Sequence, residues 1–408
     1  MSTIAHLADE GAHELAIDMS MKVLLGCQSH REWPQSTALA AAQTFYLLAL
    51  KLLQAGSTQR ADALLCCLGC THRLADAILL SSSASSSVVE RSPSPSLPAV
   101  LTSALPGSLL RQLQKGFSHE GGFWEQTGYH DAAHPFSSYL YVLDKEPSNA
   151  VELAVQQILA RMAQHGCDVG ALKAAEWWAH ERGATDAHQL HFDLDESRLG
   201  AGPAKYKLSH PSYSTVLYLT ESGGPTVVLE QTVSSPPAQA AWLSWPQGNN
   251  LLCYHGNLLH GVIPGDPPEQ GSCQHRVTLV VAFWGVELKP LPGAPGSGPL
   301  RELPSARTLQ ASFRQTWLEE FALRDDDSLL SERQRGLWQA AAHVNLPWKA
   351  LSAGQRAQDA KHGEGLAAAV GGMWAQVPLP PLRFFLRSPG EIRQVYQPPD
   401  SSYEPHIP

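Results

Sequence analysis

His191-Phe192-Asp193 and, well downstream, His260 are the residues of this chain whose types and spacing suit metal chemistry. Successive side chains of a β-strand point to opposite faces, so on a strand His191 and Asp193 share one face. Two neutral imidazoles and one carboxylate make a facial triad that suits Fe(II) and leaves positions open for a co-substrate and dioxygen. Such a set leaves a divalent ion with one net positive charge, and a dianionic oxo-acid bound to it would turn the site negative. A buried cation answers that need. Arg276 opens the apolar run Arg276-Val-Thr-Leu-Val-Val-Ala-Phe-Trp284. Its guanidinium can grip a carboxylate through two parallel charge-assisted hydrogen bonds and stays protonated when buried. Thr278 faces the same way and offers a hydroxyl donor.

Through His191-Phe-Asp193, His260 and Arg276-x-Thr278, roughly residues 170–290 resemble the Fe(II)- and 2-oxoglutarate-dependent oxygenases of the prolyl-hydroxylase-like kind. The resemblance implies iron ligands at His191, Asp193 and His260, and a 2-oxoglutarate anchor at Arg276 with Thr278. It gives Tyr218, in Ser214-Thr-Val-Leu-Tyr-Leu219, a part in holding the co-substrate. It implies an α+β fold with a double-stranded β-helix (jelly roll) core and flanking helices. Fe(II), 2-oxoglutarate and O2 would be the reaction's partners, with ascorbate keeping iron reduced. The reaction implied is oxidation of a small-molecule or peptidyl substrate, most simply a hydroxylation, with release of succinate and carbon dioxide.

Each residue has a plainer reading. A histidine on a strand is more often a packed or hydrogen-bonded residue than a ligand, so the ordered set carries the reading. His255 competes with His260 for the distal position, since both lie near the Gly256-Asn257 turn; Gly261 and the spacing to Arg276 favour His260. His188 stands an odd number of residues before His191, which puts it on the opposite face. Tyr218 serves equally well as a packed strand aromatic. Jumonji-type oxygenases hold the oxo-acid with a lysine soon after H-x-D, for which Lys205 and Lys207 are candidates. A cupin-like metal enzyme without an oxo-acid and a non-catalytic scaffold with an inactive β core are the remaining alternatives.

The elements that must position these groups read as short strands at 176–180, 188–194, 214–220, 226–231, 241–245, 250–254, 258–263 and 277–285. Turn signals such as Gly223-Gly224-Pro225 and Pro264-Gly265-Asp266-Pro267 punctuate them. Eight strands suit a jelly roll. Residues 1–80 form an Ala- and Leu-rich N-terminal helical region with periodicity at 38–53 and 61–79, and 81–98 is a Ser/Pro-rich linker. The jelly-roll domain with its bracing helices spans 99–290, and Asn149-x-x-Glu152 is a capping box opening a helix at 150–164. Residues 291–408 hold C-terminal helices, at 309–324 and 329–344, and a Pro-rich tail. Asp325-Asp326-Asp327 reads as a solvated connection.

The 408 residues can hold two or three domains. A net charge of −9 and a pI near 6.0 argue against nucleic acid or an anionic membrane as a nonspecific partner. No apolar run approaches a membrane span, and the opening residues are acidic, so neither a signal nor a transit peptide is expected. Seven cysteines without regular spacing point to a reducing intracellular compartment such as the cytoplasm. Cys67-Leu-Gly-Cys70 lies in an apolar, helix-like stretch and reads as buried small side chains.

Overall fold

A computed structural model describes residues 19, 35–80, 96–129, 138–195, 209–268, 273–289, 300–302, 317–323, 336–351, 377, 379, 382–388 and 391. The helices are α1 (Gln35–Gln54), α2 (Thr58–Cys67), α3 (Asp76–Leu79), α4 (Gly107–Gly116), α5 (Phe123–Thr127), α6 (Ala150–Gln164) and α7 (Trp317–Glu320). The strands are β1 (His72–Leu74), β2 (Ala99–Leu101), β3 (Ser138–Val142), β4 (Ala174–Gly183), β5 (His188–His191), β6 (Tyr213–Tyr218), β7 (Thr226–Leu229) and β8 (Ala240–Ser244). They continue with β9 (Leu251–His255), β10 (His260–Val262), β11 (His275–Trp284), β12 (Leu300–Glu302), β13 (Trp338–Ala340), β14 (Ala342–Asn345), β15 (Trp348–Ala350) and β16 (Phe385–Leu386).

β4 to β11 fall on the eight expected strands with ends displaced by a few residues. They divide between an eight-stranded sheet, β12-β3-β4-β11-β6-β9-β2-β13, and a five-stranded sheet, β14-β8-β7-β10-β5. A small third sheet has the order β15-β1-β16. β4 and β11 pair antiparallel along their whole length, from His275 opposite Gly183 to Trp284 opposite Ala174. Because β11 is covered on both faces, it reads as a continuous apolar run rather than an alternating one. Leu279, Val281 and Phe283 face the helices, whereas Val280, Ala282 and Trp284 face the other sheet.

Three apolar layers hold the site. Between the two large sheets pack Trp178, Val216, Val228, Leu252, Val280 and Trp284. Behind the eight-stranded sheet, Leu113, Phe123, Ile158 and Trp317 from α4 to α7 cover Trp177, Leu217 and Leu279. α6 is braced at its start as its sequence suggests: Asn149 Oδ1 accepts from the backbone N–H groups of Val151 and Glu152, each at 3.0 Å. Glu152 Oε2 accepts in turn from the N–H of Ser148 at 2.7 Å, one residue earlier than the usual box. Behind the five-stranded sheet, Phe45 and Tyr46 of α1 and Leu65 of α2 share a core with Leu190, Val227, Leu243 and Leu259. The helical layer is therefore packed directly on the strands that carry His191 and His260.

Two stretches depart from the sequence reading. The helix expected over 61–79 stops at Cys67, where Gly69 takes φ +80°, and His72–Leu74 becomes a strand. A left-handed glycine just past a helix end satisfies the last carbonyls and stops the helix; here Cys70 N–H reaches Leu65 O at 2.9 Å. Burial pushes the Cys67 and Cys70 thiols up to about 11 and about 12, so both stay protonated at neutral pH. Within the helix expected over 329–344, the described residues form β13 and β14, which extend the two large sheets by pairing with β2 and β8. Pairing to an open sheet edge outweighs the helical preference of an Ala-rich segment. Residues 81–95, 309–316, Cys27 and Asp325-Asp326-Asp327 lie outside the described residues.

A buried ion pair ties the helical layer to the small sheet. Arg73, wholly buried, donates to both carboxylate oxygens of Asp62, at 2.5 and 3.3 Å, and Lys349 Nζ lies 3.2 Å from Asp62 Oδ2. Removing one partner of such a pair leaves a buried charge unpaired, at a cost of about 3–5 kcal/mol. Asp76 Oδ1, 2.7 Å from Arg73 Nη1, offsets part of that loss. Asp62→Ala is expected to lower stability in urea unfolding by about 3 kcal/mol, the lower end of that range; an unchanged midpoint would show that this contact does not hold the layer.

Candidate metal centre

His191 closes β5 and His260 opens β10, and the two are register partners across the antiparallel pair. Asp193 follows two residues beyond β5, its side chain 8% exposed. One oxygen of this carboxylate, Oδ1, lies 3.8 Å from His191 Nε2 and 3.6 Å from His260 Nε2, and the three ligating atoms lie within 4.8 Å of one another. Those separations are too long for direct hydrogen bonds. Three donor atoms that face one another without hydrogen bonds between them are what ligands of one shared divalent ion would look like, with His191, Asp193 and His260 holding it.

The local structure aims the donors inward. His191 Nδ1 lies 2.8 Å from Gln189 O and His260 Nδ1 2.9 Å from Leu258 O, the same i−2 contact in both. A carbonyl accepts only from N–H, so each ring carries its proton on Nδ1 and turns the Nε2 lone pair towards Asp193. Ser214 donates to Asp193 Oδ2 at 2.6 Å and leaves Oδ1 to face the imidazoles. Burial holds the His191 imidazole down to about 4; His260 pushes the same way and Asp193 opposes it. The imidazole is therefore neutral and able to ligate at neutral pH.

Gly261 makes the close approach possible, since a Cβ there would meet His188 O at 2.9 Å and Gln189 O at 3.0 Å. The β5–β10 register shifts between the His260–His191 and Val262–His188 pairs. This bulge overturns the opposite-face expectation for His188: an extra residue in one strand reverses the alternation. The His188 ring lies 4.7 Å from that of His191 and 5.4 Å from that of His180. His255 sits exposed at the end of β9, stacked on Tyr213 at 5.6 Å and apart from the cluster.

Arg276 and Thr278 share the inner face of β11 with Val280. Arg276, 4% exposed, reaches across to the other sheet, where its Nη2 donates to Thr226 Oγ1 at 2.8 Å. Thr226 is on β7, two residues from Val228, the register partner of His260. The guanidinium thus enters the same space between the sheets as the three ligands. It lies 5.4 Å over the Tyr218 ring. Tyr218 Oη is 2.9 Å from Thr226 Oγ1 and 3.0 Å from Ser244 O, so this tyrosine props the residues around Arg276. Among the described residues no carboxylate pairs with Arg276, and Arg276 Nε and Thr278 Oγ1 are buried without a hydrogen-bond partner. Burial draws the guanidinium's pKa down from its ordinary value, with Tyr218 opposing. Gly223, at φ +98°, lies against the arginine stem, where a Cβ would meet Arg276 Cδ at 2.7 Å.

Ser214, Thr226, His180 and Tyr129 belong to this region although nothing in their own spacing announced them. Trp178 Nε1 donates to His180 Nε2 at 3.1 Å, which puts the imidazole proton on Nδ1, 2.8 Å from Tyr129 Oη. Lys205 and Lys207 lie outside the described residues. A separate cavity of about 200 Å³ is lined by His72, Gln231, Gln239, Leu346, Trp348 and Leu386, and contains none of these groups. No helix of the described residues is long and apolar enough to cross a membrane.

Solved structures similar to part of the chain include a prolyl-4-hydroxylase from Pseudomonas putida, at 17% identity over 45% of this chain and 85% of that one, with a TM-score of 0.27. HygX from Streptomyces hygroscopicus, with nickel and 2-oxoglutarate bound, is similar at 11% identity over 45% of this chain and 81% of its own, with a TM-score of 0.27. IDO from Bacillus thuringiensis is similar at 16% identity, over 43% and 84%, with a TM-score of 0.25. No protein-family model and no curated protein matches the chain. Likeness at these TM-scores assigns no activity.

Acid should unfold the metal-free protein early. Burial lowers the pKa of His180 and His188 well below 6.5 and that of His191 to about 4. Below pH 6.5 the unfolded chain takes up protons that the folded site refuses. The stability from these neutral imidazoles is complete above 6.5 and is lost as pH falls towards 4. Thermal melts in EDTA should therefore decline between pH 6.5 and 4.5, less steeply in a His188→Gln variant; parallel profiles would mean that His188 is solvated.

Proposed function

We propose that the protein is an Fe(II)- and 2-oxoglutarate-dependent dioxygenase, with His191, Asp193 and His260 as metal ligands and Arg276 with Thr278 as the co-substrate anchor. The observation that carries this reading is the buried guanidinium of Arg276, without a carboxylate partner among the described residues, in one inter-sheet space with the two imidazoles and Asp193. A buried cation is costly unless paired, and a carboxylate-ended ligand pairs it. The fold belongs to the same reading. The chain alternates between the sheets from β4 to β7 and again from β8 to β11, giving β4-β11-β6-β9 in one and β8-β7-β10-β5 in the other, an order that supports a jelly roll.

The residues divide the work. Ser214 and the two backbone carbonyls fix the ligand orientations before any ion arrives. His191, Asp193 and His260 would hold iron, which would supply the dioxygen activation needed to couple decarboxylation of 2-oxoglutarate to succinate and carbon dioxide with insertion of one oxygen atom into a substrate C–H bond. Arg276 Nε and the Thr278 hydroxyl, both lacking protein partners, receive the distal carboxylate of the oxo-acid, while Thr226 and Tyr218 keep the guanidinium in place. The apolar layer of Trp178, Val280 and Trp284 keeps water from the site. A small molecule or a peptidyl side chain fits this chemistry as substrate, and ascorbate keeps the metal reduced.

The test is succinate formation from 2-oxoglutarate with Fe(II) and ascorbate. The wild-type chain should produce it, and His191→Ala or Asp193→Ala should produce none and lose the bound metal. Arg276→Ala removes a charge-assisted contact worth about 1.5–3 kcal/mol, so KM for 2-oxoglutarate should rise roughly 10- to 100-fold with metal content unchanged. Undiminished turnover by the His191 variant would refute the ligand assignment. A KM unaffected by Arg276→Ala would transfer the anchor to another cation.

A further inference from the structure

The outer face of β11 carries a second convergence of metal-ligating groups. His275 immediately precedes Arg276, and the alternation of the strand turns it towards the helical layer. Glu181 of β4 is opposite Val277, on that same outer face and diagonal to His275. The third residue, His119, arrives from the 3-10 turn His119–Gly121 that follows α4. We propose that His119, Glu181 and His275 form a zinc site distinct from the His191 centre.

The geometry is that of ligands around one point. Glu181 Oε1 lies 2.9 Å from His119 Nε2 and 3.8 Å from His275 Nδ1, and the three donor atoms fall within 4.8 Å of each other. A hydrogen bond accounts for the first distance; the second is too long for one. The two rings are nearly perpendicular, at 79° with centroids 5.4 Å apart, so they do not stack, yet each turns a nitrogen to the same oxygen. The carboxylate side chain is only 4% exposed, whereas the imidazoles are 65% and 47% exposed. The carboxylate is thus buried and preset, and the two imidazoles stand at the entrance.

The turn is held in place before any ion binds. Ser118 Oγ accepts from the Gly121 N–H at 3.2 Å, and a Cβ at Gly121 would meet Gly116 O at 2.4 Å, so the turn is pressed against the end of α4. Two imidazoles and one carboxylate are a zinc donor set, with water completing a tetrahedron on the exposed side. Mixed nitrogen and oxygen donors of this kind disfavour magnesium, which asks for oxygen ligands in octahedral array. An ion there would join the turn, β4 and β11, and would pin the strand end whose other face presents Arg276.

This site does not rest on the oxygenase reading, and one experiment separates the two. EDTA-stripped full-length protein is dialysed against micromolar Zn2+, with Mg2+ as control, and bound zinc per chain is measured by mass spectrometry. Wild type should bind two equivalents, His191→Ala one, His119→Ala/His275→Ala one, and the three substitutions combined none. Circular dichroism checks the fold of each variant, and both second-site histidines are exposed, so their truncation opens no cavity. Zinc content in His191→Ala that survives removal of His119 and His275, or that is zero from the outset, overturns the proposal and shows the cluster to be a plain His–Glu hydrogen-bonded contact. Loss of zinc through His191→Ala with the second equivalent retained bears on the first centre only.

Discussion

The register of a three-residue strand, β10, is the constraint on which the site depends. His260 faces His191 across β5 and Val228 across β7, and its side chain enters the space between the sheets only in that register. A one-residue slip would send the imidazole to the opposite face. Gly261 keeps the backbone close enough for the pairing, and the bulge in β5 absorbs the mismatch next to it. With the rings so placed, the carbonyls of Gln189 and Leu258 set their tautomers, and Ser214 decides which oxygen of Asp193 meets them.

Charge in a dry space explains the rest of the inner face. Arg276 and Arg182 are register partners on neighbouring strands, and His180 stands opposite Thr278. Burial lowers the pKa of both His180 and His188; Arg182 and Arg276 push the same way at His180, and His191 and Arg182 at His188. Thr226 and Tyr218 orient one edge of the Arg276 guanidinium and leave Nε to a ligand. Positive potential and open donors are thus in place in advance, the arrangement that an anion-binding site needs if it is not to reorganise.

Among the described residues the helices back the sheets. α4 to α7 cover the outer face of the eight-stranded sheet, while α1 and α2 cover that of the five-stranded sheet. Both ligand-bearing strands are therefore pressed between an apolar layer outside and the inter-sheet core inside. β11 serves two faces at once: Arg276 and Thr278 point inward, and His275 meets Glu181 and His119 on the outside.

Much of the centre was legible in the sequence because its signals are local. His191 and Asp193 are two residues apart, Arg276 and Thr278 likewise, and period-two alternation is a property of any strand. Turn residues such as Gly223-Gly224 marked where strands had to end, and Asn149 with Glu152 marked where α6 had to begin. What lay beyond reach depends on pairing between distant segments. The bulge that turns His188 inward, the sheet edges that draw 338–345 into strands, and the stacking that brings Thr226 to Arg276 and Ser214 to Asp193 have no local signature. Sequence alone determined which side chains suited to metal chemistry this chain carries and on which strands they fall; only the tertiary structure decided which atoms face one another, because strand register and sheet stacking are settled by burial over the whole core.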